Sequence, residues 1–317
     1  MTRGIRAHTP KIEVYLLREG IVESIHQVEA TVCDARGRLL LVAGNSETTA
    51  FVRSALKPFQ SLAITTTGTL ERYELNDKDL AVICSSHQGM LEQTRQVFNI
   101  LWRANIDPSV LQCPIPEGYQ SPLQHNCSGK HAAMLAICQQ RNWPLDTYTK
   151  KSSPVQHLIL DKIGELLAMP GEELISAHDD CGAPTYSMKL SQMAHLYAQL
   201  ASGNNLDLER IVRAMTYYPT MIAGVGAFDT ELMRLTEGEL VSKSGAEGIQ
   251  CVGHLRQGMG LSIKVTDGSK RAKYATALNI LRNMGWITPN VAELLAEKFM
   301  SIGNYKRLEV VGELSML

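Results

Sequence analysis

The chain has 317 residues, of which 44% are hydrophobic and 20% are charged. This composition is typical of a folded globular protein and excludes a disordered chain. Lys and Arg number 31 and Asp and Glu number 32, which gives a formal net charge of -1. Such a balance creates no global field for nucleic acid or an anionic membrane, so we expect neither as a partner.

The sequence also indicates where the protein resides. It contains no run of about 18 apolar residues, so no transmembrane helix is expected. Residues 1–10 carry charges with no apolar stretch after them, which predicts the absence of a secretory signal. The seven cysteines are an odd number spread over a long chain. We therefore expect free thiols and a cytoplasmic location.

The first part of the chain predicts three strands. Residues 13–18, 21–34 and 38–43 are rich in Val, Ile, Leu, Thr and Tyr, and Gly-containing turns separate them. Three such strands would form an antiparallel meander. A helix is then expected to begin near Ser54, with Pro58 in its first turn, where a missing N–H group costs least.

The rest of the chain predicts helices followed by a return to strands. Apolar residues recur at helical spacing in residues 91–104, 131–141, 154–168, 190–201 and 208–215. Strand character returns over residues 239–267, and it is followed by amphipathic helices at 272–284 and 291–300 and a short strand at 307–311.

This order of elements predicts an α+β fold. Strands at both ends favour an antiparallel sheet built from both chain ends and flanked by helices, rather than a parallel sheet of βαβ units. The sequence shows no internal repeat and no linker. It therefore predicts a single domain over residues 1–317, with a helical subregion at about 65–230.

Two short motifs point to acyl-transfer chemistry. Ser54 and Lys57 form Ser-x-x-Lys, which on a helix places both side chains on one face. A desolvated Lys can then accept the Ser proton. Lys243-Ser244-Gly245 ends a predicted strand, and serine β-lactamases combine a Ser-x-x-Lys helix with a Lys-[Ser/Thr]-Gly strand in this order. Each motif is weak alone, and together they favour a serine enzyme.

Three further segments concentrate reactive side chains. Residues 84–89 follow an apolar run and supply a second hydroxyl group at Ser86. Residues 125–131 and 178–184 are each centred on one cysteine, Cys127 and Cys181. Two thiolates can bind Zn²⁺, although neither segment has Cys-x-x-Cys or His-x-x-x-His spacing.

The same two segments allow other interpretations. A cysteine nucleophile could work with a neighbouring histidine, as Cys127 with His131 or Cys181 with His178. Both cysteines could also be buried thiols in Gly-containing turns. The remaining five cysteines lie in apolar surroundings and are expected in the core.

Six strings carry a family resemblance: Arg53-Ser54-Ala55-Leu56-Lys57-Pro58-Phe59-Gln60, Ser85-Ser86-His87, Asn126-Cys127-Ser128-Gly129-Lys130-His131, Asp180-Cys181-Gly182-Ala183-Pro184, Gly226-Ala227-Phe228-Asp229-Thr230 with Leu232-Met233, and Lys243-Ser244-Gly245-Ala246-Glu247-Gly248. Together they resemble the Rhizobium etli-type (class 3) L-asparaginases, the asparaginase II domain family. The resemblance runs from about residue 12 to residue 285.

The resemblance implies a fold similar to that of serine β-lactamases and glutaminases, a homodimer, and hydrolysis of L-asparagine to L-aspartate and ammonia. It implies two Ser-Lys pairs, Ser54 with Lys57 and Ser86 with Lys243, with Lys264 as the alternative to Lys243. Which serine is the nucleophile stays open. The β-lactamase analogy places oxyanion donors at the Ser54 N–H group and near Gly245.

The resemblance also implies a metal and a substrate site. The zinc ligands would be Cys127, Lys130, Cys181 and a water molecule, with the metal helping to position the substrate. The substrate-binding residues would be Arg53, His87, Asn126, His131, Asp180 and Gly245.

The chain departs from the family pattern in one motif and one length. Residues 86–90 are Ser-His-Gln-Gly-Met, where the family often has Ser-His-Ser-Gly-Glu. The missing carboxylate bears on recognition of the substrate α-amino group. The segment 111–125 is also shorter than is usual.

The alternative functions are a glutaminase, a β-lactam-acting enzyme, a Cys-nucleophile amidohydrolase and a non-catalytic amino-acid sensor.

Overall fold

The computed structural model describes residues 9–316. The prediction about a secretory signal concerned residues 1–10, most of which lie outside the described residues. The strands are β1 (Ile12–Arg18), β2 (Ile21–Asp34), β3 (Leu39–Ala43), β4 (Thr49–Phe51), β5 (Ser176–His178), β6 (Pro184–Lys189), β7 (Leu240–Ser244), β8 (Ile249–His254), β9 (Met259–Val265), β10 (Ser301–Ile302), β11 (Lys306–Val311) and β12 (Ser315–Met316).

The helices are α1 (Lys57–Gln60), α2 (Leu62–Thr65), α3 (Thr69–Arg72), α4 (Asp77–Ile83), α5 (Leu91–Arg103), α6 (Ser128–Arg141), α7 (Pro154–Leu167), α8 (Leu190–Ala201), α9 (Leu206–Tyr217), α10 (Pro219–Ala223), α11 (Phe228–Leu235), α12 (Lys270–Asn283) and α13 (Pro289–Phe299). Short 3₁₀ helices cover Arg53–Leu56, Pro108–Val110, Pro122–Gln124 and Gly171–Glu173. Within the described residues, every helix is too short or too polar to cross a membrane.

The chain forms two compact units. Unit 1 contains the described residues up to 52, residues 188–202 and the described residues from 242 onward, and unit 2 contains residues 53–187 and 203–241. The prediction of one domain with a helical subregion at about 65–230 stays a prediction.

Unit 1 is built on a sheet that uses strands from both chain ends. Its central order is β10-β11-β1-β2-β9-β8-β7, and β3 pairs with β2 and β12. β1 runs antiparallel to β11, with Leu16 opposite Leu308, and β2 runs antiparallel to β9, with Ala30 opposite Ile263. This arrangement confirms the predicted antiparallel sheet of an α+β fold.

Helices cover this sheet and bury its central strands. α8 packs against β2 and β9, and α12 packs against β9 and β11. All six residues of β8 are buried, because both faces of this strand are covered. In β2 the burial begins near Val28, and the preceding part of the strand is largely exposed.

Unit 2 is mainly helical, and its first helix corrects the sequence prediction. The helix expected near Ser54 begins as an α-helix only at Lys57, and Arg53–Leu56 form a 3₁₀ helix. Because Pro58 has no N–H group, it cannot donate the hydrogen bond to residue 54 that an α-helix would need there.

A two-turn helix, α4, lies inside unit 2 and was missed by sequence analysis. It contacts α5, α6 and α9. Asp79 in its first turn is fully buried and accepts hydrogen bonds from the Asn76 N–H group (2.8 Å), Gln96 Nε2 (2.5 Å) and Arg103 Nη1 (3.1 Å). One carboxylate therefore caps α4 and ties it to α5.

We expect the Asp79→Ala variant to lower the free energy of unfolding by about 3 kcal/mol, because it leaves the buried Gln96 amide, the Asn76 N–H group and the Arg103 guanidinium without their acceptor. Asp77→Ala, in the same helical turn, removes only the exposed ion pair with Arg213 and should cost less than about 1 kcal/mol. Urea unfolding of both variants measures the difference. Equal losses would contradict the assigned role of Asp79.

Candidate active site

Lys57 is a buried cation of unit 2, and it contacts a predicted catalytic serine, Ser86. The residue is 1% exposed. Its Nζ lies 2.5 Å from Ser85 O, 3.1 Å from Ser86 Oγ and 3.1 Å from Asn126 O. The three hydrogens of an ammonium group match these three oxygen acceptors. A buried charge needs such partners, since it has given up its hydration.

The two segments that supply these acceptors meet where α6 approaches the end of α4. A Cβ atom on Gly129 would lie 2.0 Å from Val82 O, so no other residue fits there without a shift of the main chain. Ser85 lies two residues after the end of α4, and Asn126 and Cys127 precede α6. The close approach at Gly129 therefore places both sets of acceptors around one lysine.

The two candidate nucleophiles differ in their surroundings. Ser54 is half-buried in the 3₁₀ helix, and its hydroxyl group has no hydrogen-bond partner among residues 9–316. Ser86 Oγ contacts Lys57, and the Ser86 N–H group donates to Ile222 O at 2.7 Å. The structure thus brings Lys57 to Ser86, whereas the predicted pairs were Ser54 with Lys57 and Ser86 with Lys243.

His87 uses both ring nitrogens within the protein. Its Nδ1 accepts the Gly89 N–H group (3.0 Å), so the proton is assigned to Nε2, which lies 2.8 Å from Ser128 Oγ. Burial, with a further contribution from the Lys57 charge, lowers the His87 pKa to about 3. The side chain is therefore neutral and tied to the start of α6.

His131 is also neutral, and one of its nitrogens is unused. Tyr148 Oη accepts the Gln112 N–H group (2.8 Å) and donates its own proton to His131 Nδ1 (2.6 Å). That assignment leaves the proton of His131 on Nε2, a buried atom without a hydrogen-bond partner among the described residues. Burial lowers the His131 pKa to about 3, with the Lys130 charge as the next cause.

An arginine and two aspartates form a charged cluster in unit 2. Arg53 Nε donates to Asp179 Oδ1 at 2.7 Å, and its Nη2 donates to Asp180 Oδ2. Arg53 has a φ of 53°, in the left-handed region, and its N–H group bonds to Thr185 Oγ1 at 3.3 Å. The Asp180 carboxylate is 87% exposed, and that of Asp179 is buried.

Asp179 was missed as a site residue, although it stands beside the predicted Asp180. Asp179 is buried at the start of a tight turn, in which its N–H group donates to Ala183 O and its carbonyl accepts the Gly182 N–H group, both at 2.8 Å. The same turn joins β5 to β6, which pair antiparallel. Two adjacent aspartates in residues 178–184 were the available sequence signal.

The predicted zinc ligands lie together in unit 2. The Cys181 thiol donates a hydrogen bond to the Cys127 sulfur, which lowers the Cys127 pKa, and the charges of Lys57 and Lys130 lower it further. The same bond, together with burial, raises the Cys181 pKa. Burial opposes charge on Lys130, yet the Cys127 thiolate beside it raises the Lys130 pKa. These shifts favour a thiolate at Cys127, a thiol at Cys181 and an ammonium group at Lys130.

This donor set is compatible with zinc only if lysine takes part. No three His, Cys, Asp or Glu side chains converge to hold a metal ion in the part of the chain that the structure describes. Two thiolates suit Zn²⁺, and a third protein ligand from this cluster would have to be Lys130 as a neutral amine. All seven cysteines are buried, and none forms a disulfide bond within residues 9–316.

The remaining predicted residues belong to unit 1. Lys243 is buried and its Nζ contacts Ser244 O at 2.9 Å. Lys264 instead contacts Glu247 O (2.6 Å) and Val265 O (2.7 Å). The Gly245 N–H group donates to Ile249 O at 2.9 Å, within its own turn. The oxyanion donor expected near Gly245 stays a prediction.

The sequence comparison gives the family of this chain. Residues 14–316 match the family described as L-asparaginase II. The chain belongs to that family and is an amidohydrolase. Among curated proteins, none matches the chain.

Solved structures with a similar fold have little sequence identity to this chain. The structure described as Mglu in its native form has 12% identity and a TM-score of 0.50, covering 89% of this chain and 69% of its own. Mglu in its glutamate form has 14% identity and a TM-score of 0.46, covering 82% and 61%. A Bacteroides dorei protein provisionally described as a β-lactamase has 12% identity and a TM-score of 0.40, covering 82% and 89%. The first comparison shows a shared fold.

The low pKa of His87 makes stability depend on pH. Below its ordinary pKa of 6.5 an unfolded chain protonates this residue, whereas the folded chain does so only near pH 3. The free energy of unfolding should therefore fall on acidification, by about 1.4 kcal/mol per pH unit from this residue. His87→Asn, which keeps an acceptor for Gly89, should reduce the slope between pH 4.5 and 6 by that amount. Urea unfolding across this range measures it, and equal slopes would refute the assignment.

Proposed function

We propose that this amidohydrolase converts L-asparagine to L-aspartate and ammonia through a seryl ester. The observation that carries the proposal is the contact between buried Lys57 and Ser86 Oγ, beside two main-chain carbonyl groups. A neutral amine suits the same contacts, because two N–H groups satisfy the carbonyls and the lone pair faces the Ser86 hydroxyl. Membership of the L-asparaginase II family supports the substrate.

In the proposed reaction Ser54 is the nucleophile, because its hydroxyl group is half-exposed and unbonded within the described chain. Ser54 Oγ attacks the side-chain amide carbon, and its proton passes through the Ser86 hydroxyl group to Lys57, because Lys57 contacts Ser86. The tetrahedral intermediate collapses to an aspartyl ester, and a proton delivered through Ser86 lets the nitrogen leave as ammonia. Water then cleaves the ester, which regenerates Ser54 and releases L-aspartate. The role of Lys243 as the second lysine is the one that the resemblance implies.

The charged cluster supports an α-amino acid as the substrate. Such a molecule carries one carboxylate and one ammonium group, and the cluster offers the guanidinium of Arg53 and the exposed carboxylate of Asp180. We propose that Arg53 binds the α-carboxylate and that Asp180 binds the α-ammonium group. Asp180 would then supply the negative charge that the family often has at the position of Met90. Asn126 lies beside Lys57 through its carbonyl oxygen.

Ser54→Ala tests the nucleophile. We expect it to lower kcat for L-asparagine by at least about 1,000-fold, and Ser86→Ala to lower it by about 100-fold. Ammonia release measures both, with L-glutamine as the competing substrate and Ser109→Ala, an exposed serine of unit 2, as the matched control. An asparagine-like diazoketone followed by peptide mapping identifies the residue that becomes alkylated.

The outcomes separate the alternatives. A label on Ser54 that is absent from Ser54→Ala supports the proposal. A label on Ser86 would make Ser86 the nucleophile in place of Ser54. A label on Cys127 with an active Ser54→Ala variant indicates a cysteine nucleophile, the alternative favoured by the lowered Cys127 pKa. A preference for glutamine refutes the proposed substrate. Binding of asparagine without ammonia release indicates a sensor.

We also propose that Cys127, Cys181 and Lys130 bind Zn²⁺, with water as a further ligand. The support is the direct contact of the two thiols with a lysine beside them. When bound, the metal would help to position the substrate. The protein contributes a ready thiolate at Cys127 and a Cys181 thiol whose proton the metal would displace.

Metal analysis tests this site. The purified protein should contain one zinc ion per chain, and Cys181→Ser should lose it and raise KM more than it lowers kcat. Cys138→Ala, a buried cysteine on α6, should keep the metal. Wild-type protein purified without chelator and free of zinc would contradict the proposal.

The assembly and location are also proposed. The homodimer is proposed from the family resemblance, and the cytoplasmic location from the thiols that the sequence predicts. No nucleic-acid or membrane partner is proposed.

A further inference from the structure

Lys273 is a buried lysine of unit 1 that has no role in the proposed reaction. It lies in the first turns of α12 and is 4% exposed. Its Nζ is 5.1 Å from the centre of the Tyr274 ring. A helix on the surface of a sheet has no general need for a buried ammonium group, because an apolar side chain would fill the same space without losing hydration.

The ammonium group of Lys273 contacts the turn between β7 and β8. Nζ lies 2.7 Å from Gly245 O and 3.1 Å from Ile249 O. The Gly245 N–H group donates to the same Ile249 oxygen. Lys273 therefore bonds to both residues that close this turn, with charge-assisted bonds that are stronger than neutral ones.

The turn has little freedom to shift away from Lys273. A Cβ atom on Gly245 would lie 2.7 Å from Val52 O, so the main chain there is already in close contact. From another strand, β9, Lys264 contacts Glu247 O at 2.6 Å. Two lysines thus hold carbonyl oxygens at three positions in five residues.

We propose that Lys273 is a positioning residue that acts through this turn on Lys243. Lys243 stands two residues before Gly245 and contacts the intervening carbonyl, Ser244 O. Fixing Gly245 O fixes the end of β7 and with it the direction of the Lys243 side chain. The proposal rests on the proposed function, in which Lys243 is the second lysine. Proton transfer is sensitive to errors of position below 1 Å, so a looser turn should slow the chemical step.

Lys273→Met tests the proposal with two readouts. Hydrogen exchange followed by mass spectrometry should show at least 10-fold faster exchange in peptides that cover residues 245–249. The kcat for L-asparagine should fall at least 10-fold with KM unchanged within 3-fold. Lys273→Arg, which keeps the charge and the donors, should restore most of both. Lys270→Met, an exposed lysine on the same helix, is the matched control and should change neither.

Each outcome decides one part of the proposal. Unchanged exchange at 245–249 in Lys273→Met overturns the contact as a restraint on the turn. Faster exchange with unchanged kcat overturns the positioning role. If Lys273→Met fails to fold, Lys273→Gln, which keeps one N–H donor without the charge, decides on the same criteria. A wild-type enzyme that hydrolyses neither amide refutes the proposed function and the positioning role, while the exchange result still decides whether Lys273 restrains the turn.

Discussion

The burial of one ammonium group, that of Lys57, is the constraint on which the arrangement of unit 2 depends. Its acceptors come from the segment after α4 and the segment before α6, and two of the three are main-chain carbonyls. Main-chain acceptors are set by the path of the chain and not by side-chain identity. The position of the Lys57 ammonium group is therefore set by the packing of α6 on α4. That packing requires glycine at position 129, where a Cβ atom would collide with Val82 O.

The ionic groups of unit 2 that the site contains are balanced locally. Lys130 faces the Cys127 thiolate, and Arg53 faces two aspartates, so each cation has its own acceptor. The nearby histidines, His87 and His131, stay neutral because burial and the lysine charges both lower their pKa values. The site is therefore highly polar, although its positive and negative charges offset one another. A zwitterionic amino acid suits such surroundings better than a singly charged ligand would.

The sequence predicted the parts of this structure that depend on local patterning. The β-rich stretches at both ends gave the antiparallel sheet correctly. The helix α4 escaped notice because Leu80 to Ile83 are apolar without periodicity, and a two-turn helix offers too few residues to show a period. Asp179 and Lys273 escaped for another reason. Their importance comes from burial against residues distant in the chain, which no spacing between neighbours encodes. The family resemblance, in contrast, could identify Lys57 without any knowledge of its acceptors.

The sheet order of unit 1 has a consequence for synthesis on the ribosome. β1 and β2 emerge first and can pair at once, but the other edge of β1 waits for β11 and the other edge of β2 waits for β9. More than half of the chain, including all of unit 2, is made before either partner exists. Open strand edges are templates for pairing with other chains. Until β9 and β11 have been made, these two open edges can pair with strands of other nascent chains.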